Sequence, residues 1–199
     1  VRYESEPVGS HVSMSESRAL LDVCADDKTL RGRRDAAMIA LGCGIGLRVG
    51  DLANMHAGDW DGTRLTLRLG KGRTTRSFEL QDGSRDALVD WLASYPADAL
   101  ASMFPAISQK GRLLRGGLTT RSCSRILTER ARQARIKPCR WHDLRRTLAS
   151  DLISMGRSVE EQFILRHRSA STTHRYNMKG DDQATKALAR ISVPYRRPE

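Results

Sequence analysis

A chain of 199 residues, 39% of them hydrophobic, is sized for one domain built on one core. With 34 Lys and Arg against 23 Asp and Glu it carries a net charge of +11, mostly from Arg, whose planar fork binds phosphate, so the expected partner is nucleic acid. No apolar run approaches the roughly 18 residues of a membrane span, and Cys24, Cys43, Cys123 and Cys139 lack the spacing of a zinc site or a secreted disulfide framework, which leaves free thiols in a reducing, cytoplasmic setting.

Residues 1 to 12 are polar, carry Pro7 and Gly9, and read as a linker; the opening Val1, where a start would have Met, suggests a fragment of a longer protein. Ser13 with Glu16 forms a capping box and opens a helix whose apolar side holds Leu20, Leu21 and Val23. A second helix is expected from about Arg31 to Leu41, broken by Gly42, Gly44 and Gly46, and a short third from Arg48 to Met55. Leu65, Leu67 and Leu69 alternate with polar residues, Ser77 to Leu80 alternate again, and Gly70-Lys71-Gly72-Arg73 turns between them. This predicts an antiparallel hairpin with Lys71 at its tip.

Helix is expected again from about Ser84 to Ala93, while residues 96 to 117 show no regular pattern. Thr119 to Arg135 is amphipathic: at about 100° per residue, Cys123, Leu127, Ala131 and Ala134 share one side and Arg121, Arg125 and Arg132 the other. Arg130 falls on the wrong side and must pair or snorkel. A solvated face accounts for these arginines as well as a helix laid on DNA does; in the second case they meet phosphates or base edges. Further helices are predicted from His142 to Met155, ending at Gly156; from Ser158, boxed with Glu161, to about Arg166; a short one capped by Ser169 and carrying Tyr176; and one from Asp181 to Ile191. The expected fold is mainly α with a small antiparallel β-hairpin.

The candidates for chemistry are Arg48, Lys71, His142, Arg145, His167 and Tyr176. Singly, each has a plainer explanation. Arg48 can pair with Asp51, Lys71 can be a solvated turn residue, His142 and Arg145 can be a surface pair one turn apart, and Tyr176 can be ordinary packing. Their order and spacing are far more specific. The segments are Gly46-Leu47-Arg48-Val49-Gly50-Asp51-Leu52, Gly70-Lys71-Gly72-Arg73, His142-Asp143-Leu144-Arg145-Arg146-Thr147, Leu165-Arg166-His167-Arg168-Ser169 and Thr172-Thr173-His174-Arg175-Tyr176. From about Ser13 to Ile191 the sequence resembles the catalytic domain of the tyrosine recombinase, or phage integrase, family, with Arg166 where that family usually has Gly and Met178 where it often has His.

The resemblance implies a site-specific DNA recombinase of the DNA breaking–rejoining fold, belonging to a mobile genetic element and acting on double-stranded DNA. Tyr176 would attack a phosphodiester to give a 3′-phosphotyrosine link and a free 5′ hydroxyl. Arg48 and Arg145 would clamp the non-bridging oxygens, with His167 adding a hydrogen bond. His142 would assist proton removal from Tyr176, and Lys71 would protonate the leaving oxygen. Asp51 would orient Arg48 or a nearby cation, and Arg121, Arg125 and Arg132 would lie on DNA. No metal, ATP or other cofactor enters this chemistry. Residues 1–12 would link residues 13–192, the catalytic domain, to an absent N-terminal DNA-binding domain; 193–199 would be a tail.

A homotetramer on DNA is implied, exchanging segments from about Asp181, with accessory or excision factors among its partners and a nucleoid-associated location when bound. A break between His167 and Tyr176 is independently required. Nine residues of unbroken helix would turn them to opposite sides, and Arg168-Ser169-Ala170-Ser171 supplies the break. The rival readings are a type IB topoisomerase, which a relaxation assay would reveal, a catalytically silent DNA-binding regulator, which would form no covalent adduct, and a basic RNA-binding or ribosomal protein, for which the ordered motifs would be coincidence.

Overall fold

The computed structural model describes residues 11–69, 74–95, 102–157 and 177–198. Its helices are α1 (Met14–Asp26), α2 (Leu30–Ile45), α3 (Val49–Asn54), α4 (Asp82–Ala93), α5 (Thr120–Gln133), α6 (Trp141–Ser154) and α7 (Asn177–Leu188). Its strands are β1 (Arg64–Leu69), β2 (Thr74–Glu79), β3 (Pro105–Ile107) and β4 (Leu113–Gly117). The mainly helical architecture with small antiparallel sheets is the one expected from the sequence. Among the described residues no helix is long and apolar enough to cross a membrane.

The other elements are laid around α2. Every residue from Arg34 to Gly42 is buried, as befits a helix that packs on all sides, here against α1, α4 and α6. The expected end at Leu41 is wrong, because the helix continues through Gly42 and Gly44 to Ile45. Glycine costs a helix interior roughly 1 kcal/mol relative to Ala, but these two admit close neighbours. A Cβ on Gly42 would lie 2.9 Å from Trp141 Cζ3, and one on Gly44 1.9 Å from Ser84 Oγ. Gly46 alone stops the helix, at φ +62°, the left-handed conformation that glycine adopts without a Cβ penalty.

Several helix starts share one local device, while α2 and α5 are capped by the side chains of Thr29 and Thr119. Ser13 Oγ accepts from Glu16 N–H while Glu16 Oε2 accepts from Ser13 N–H, the expected capping box. Asp51, Asp59 and Asp143 repeat its second half, each accepting the backbone N–H three residues back, from Arg48, His56 and Arg140. On α1 it is Cys24 rather than Val23 that joins Leu20 and Leu21 in the core.

β1 and β2 pair antiparallel, with Leu65 opposite Phe78 and Leu69 opposite Thr74. The second strand therefore begins earlier than its alternation suggested. Leu65, Leu67, Phe78 and Leu80 are buried, and α7 packs against β2. A second hairpin corrects the irregular reading of residues 96 to 117: β3 and β4 pair antiparallel with Ile107 opposite Leu113. Along β4 Leu113 is half-buried and the rest exposed, so no buried face left an alternating signal to read.

α5 buries Cys123, Leu127 and Ala131, as expected. Arg130 resolves its conflict by pairing: its Nη2 lies 2.8 Å from Asp35 Oδ2 and 2.6 Å from Asp27 Oδ2. Asp35 in turn pairs with Arg34 at 2.8 Å. This network ties α5 to the start of α2 and the end of α1.

The last helix begins at Asn177, before the expected Asp181. It and the segment after it dock on their own chain, burying Ala184, Ala187, Leu188, Ile191 and Val193. Tyr195 Oη donates to Asp90 at 2.8 Å, and Arg196 Nη2 lies 2.8 Å from Asp26 Oδ1. The helices expected between Ser158 and Tyr176 lie outside the described residues.

Candidate active site

Arg48, Asp51, His142 and Arg145 are described; Lys71, His167 and Tyr176 lie outside the described residues. The described part is built where the end of α2 meets the start of α6. Trp141 packs its ring edge on Gly42, in space that only a glycine leaves open. One turn further along both helices, Arg145 Nη1 donates to Gly46 O at 2.7 Å. Arg145 is 4% exposed and Leu47 1%. Two segments about a hundred residues apart are thereby locked together, and Arg48 follows two positions after the carbonyl that Arg145 holds.

Arg48 caps α3 with extended backbone, φ −74° and ψ 149°. Its N–H donates to Asp51 Oδ2 at 3.1 Å. Asp51 therefore fixes the backbone that carries Arg48, a more specific contact than the pairing its position suggested. The Arg48 side chain is exposed, and among the described residues no carboxylate pairs with it. His142 is exposed at the first turn of α6, whereas Arg145, one turn on, reaches inward. The two thus differ in burial despite their helical spacing. Asp143, between them, is 6% exposed and anchors the helix start by accepting Arg140 N–H at 2.8 Å.

On α5, Arg121, Arg125 and Arg132 are all exposed, as the periodicity required. Arg132 is engaged with Glu129 at 2.7 Å, an exposed i,i+3 pair of small energetic value. No carboxylate among the described residues pairs with Arg121 or Arg125.

A model of the phage integrase family matches residues 12–183. The chain belongs to this family. Among curated relatives, the tyrosine recombinase XerC of Myxococcus xanthus is 34% identical over 171 residues, covering 82% of this chain and 56% of that protein. XerC of Corynebacterium efficiens is 33% identical over 147 residues, covering 72% of this chain and 46% of its own. The chain thus spans about half the length of the curated relatives it matches. By shape it resembles an integrase from mycobacterium phage Brujita, with a TM-score of 0.70, 23% identity, and coverage of 99% of this chain and 62% of that one. It also resembles the lambda integrase tetramer solved on a Holliday junction, with a TM-score of 0.60, 18% identity, and coverage of 86% and 51%.

Three contributors to this candidate site are not apparent in the sequence pattern. The Gly46 carbonyl was not foreseen as a ligand of Arg145. Gly42, by its pattern a helix break, is a seat for Trp141. Asp143 was not recognised as the anchor of α6, although an Asp at the third helical position was the available signal.

Proposed function

We propose that this chain is the catalytic part of a site-specific DNA recombinase that cuts and rejoins strands through a 3′-phosphotyrosine link, with Tyr176 as nucleophile. The observation that carries the reading is the bond from Arg145 to Gly46 O, which ties the Arg48 segment to the His142–Arg145 helix in a chain of the phage integrase family. A phosphodiester under attack gains negative charge, and guanidinium groups at fixed positions neutralise it with charge-assisted hydrogen bonds.

In this mechanism Tyr176 Oη bonds to phosphorus while the bond to the 5′ oxygen breaks. A free tyrosine has a pKa near 10, so only about one in a thousand is ionised at pH 7. Proton removal must accompany attack, and exposed His142 is assigned that assistance. Lys71 delivers a proton to the leaving 5′ oxygen, and His167 adds a hydrogen bond to the phosphate. Asp51 keeps the Arg48 backbone in place. Reversal by a 5′ hydroxyl from another strand completes transfer without metal or nucleotide energy, because the phosphotyrosine keeps the bond energy.

Residues 13–192 form the catalytic domain, and residues 1–12 connect it to a DNA-clamping domain. The working assembly is a tetramer on two duplexes, like the lambda integrase tetramer in form. In it the segment from Asp181 leaves its own chain for a neighbour.

A nicked suicide substrate tests the chemistry. The chain is expected to trap a denaturant-resistant protein–DNA adduct, and Tyr176→Phe to abolish it. An adduct that persists in the phenylalanine variant would mean that another residue is the nucleophile.

A further inference from the structure

We propose that the β3–β4 hairpin is a second DNA-binding element, a basic ribbon that holds backbone phosphates of the duplex lying on α5; the proposal rests on the reading of the chain as a DNA recombinase. Charge is the first observation. From Ala99 to Thr128 the sequence has five cations, Lys110, Arg112, Arg115, Arg121 and Arg125, and no Asp or Glu, although the chain as a whole has 23 acidic residues. Nearly half of the net charge of +11 is concentrated in this stretch.

The structure divides these cations between two neighbouring elements. Arg121 and Arg125 stand on α5, and Lys110, Arg112 and Arg115 stand on the hairpin. All five are exposed, and among the described residues none has a carboxylate partner. Six arginines elsewhere, Arg34, Arg68, Arg130, Arg132, Arg196 and Arg197, each pair with an Asp or Glu, whereas here five successive cations of the sequence go unpaired among the described residues.

The hairpin is held in shape before any partner arrives. An isolated two-stranded hairpin is marginal in water, but this one is pinned at Ser108. Its carbonyl accepts Gly111 N–H at 3.0 Å and Arg31 Nη2 at 2.6 Å. Its N–H donates to Arg112 O at 2.8 Å, and its Oγ accepts Arg112 N–H at 3.1 Å. Gly111 takes the tight turn at φ +75°. Lys110 and Arg112 therefore sit on a preorganised turn and lose little freedom when they bind.

Position completes the argument. A cleft of about 570 Å³ runs between the hairpin and α5, lined at its sides by Ile107, Gln109, Ser122 and Arg125, with Glu129 on α5 and the paired Asp27 and Asp35 also in its wall. A duplex seated on Arg121 and Arg125 meets the hairpin across this cleft. A two-stranded ribbon fits a major groove, and a groove has a backbone on either side. Arg112, just before β4, and Arg115, within it, are both exposed and so offer cations along the ribbon to the phosphates beside the groove.

The test uses Lys110→Ala/Arg112→Ala/Arg115→Ala, which removes three cations that hold nothing in the fold. Duplex affinity is measured over a salt series for this variant and the wild type. Each lost phosphate contact lowers the slope of log affinity against log salt by about 0.9, so the slope is expected to fall by about 2 to 3, with a similar loss on every duplex sequence. A charge-matched variant, Arg18→Ala/Lys28→Ala/Lys186→Ala, removes exposed cations from α1, the α1–α2 turn and α7. It is expected to change the slope by less than about 1. An unchanged slope in the hairpin variant overturns the proposal, and so does an equal fall in both variants, which would reflect diffuse net charge. An adduct from wild type with an unchanged hairpin slope removes the ribbon and leaves the recombinase. A fallen slope without any adduct keeps the ribbon and removes the nucleophile.

Discussion

Arg145 shows how one side chain joins local sequence to tertiary position. Its spacing from His142 was visible in the sequence, but its inward direction depends on Gly46 O, a group contributed by the far end of another helix. Lysine would keep the charge and lose the planar fork. Arg145→Lys is therefore expected to lower the melting temperature by several degrees without unfolding the chain, because the lysine keeps the charge while a hydrogen bond from a charged donor contributes about 1.5–3 kcal/mol. Adduct formation on the suicide substrate is expected to slow by about 100-fold or more, the usual cost of removing one donor from a developing charge. A near-normal rate would show that the guanidinium fork is not applied to the phosphate. Asp51 was legible as a partner of the Arg48 segment. That it holds the Arg48 backbone and not the guanidinium required the cap geometry.

Helix α2 is where propensity and packing disagree. Helix propensity alone says that Gly44→Ala should stabilise by about 1 kcal/mol. Sterics say otherwise, since the new Cβ would meet Ser84 Oγ at 1.9 Å, Ser84 Cβ at 3.1 Å and Val193 Cγ2 at 3.2 Å. Overpacking of a filled core costs about 1–3 kcal/mol, so the second effect wins. Gly44→Ala is expected to lower stability by about 1–2 kcal/mol in denaturant unfolding. Adding Ser84→Ala, which removes the nearest clashing atom, is expected to recover part of that loss. A stabilised single variant would mean that α4 can move away from α2 at little cost. The same disagreement explains why the helix end was misplaced: three glycines in alternation look like a break when neighbouring helices are unseen. The β3–β4 hairpin escaped notice for the opposite reason, since hydrogen bonds and one arginine from α2 hold it, with little apolar surface buried.

Across the whole molecule, the buried network around Arg130 joins α1, α2 and α5. Burial raises the Asp27 carboxyl pKa, but hydrogen bonds from Thr29 and Arg130 outweigh it and leave the group below its ordinary value. With a folded pKa below the unfolded value of roughly 3.9, Asp27 contributes stability that is fully present above that value and is lost as pH falls through the folded pKa. Stability should therefore decline on acidification below about pH 4, and Asp27→Asn should flatten that decline when melting temperature is followed from neutral to acid pH. An acid limb as steep in the variant as in wild type would assign the loss to other carboxylates. On the same scale, no local pattern announces that α7 and the tail dock on α1, α4 and β2 of their own chain. A single chain buries Ile191 and Val193 wherever apolar surface is within reach.

Sequence alone determined the family, through the likeness of its ordered motifs, and, through local pattern, the helical class and the pairing of the segments on either side of residues 70–73. These are properties of local periodicity, capping and spacing, which neighbouring residues encode. Tertiary structure decided that Gly42 and Gly44 are contact surfaces, that Arg145 reaches Gly46, that Arg130 is paired, and that the free cations of the β3–β4 hairpin stand beside α5. Each of those depends on groups far apart in the chain, and close packing brings them together only once the core around α2 has formed.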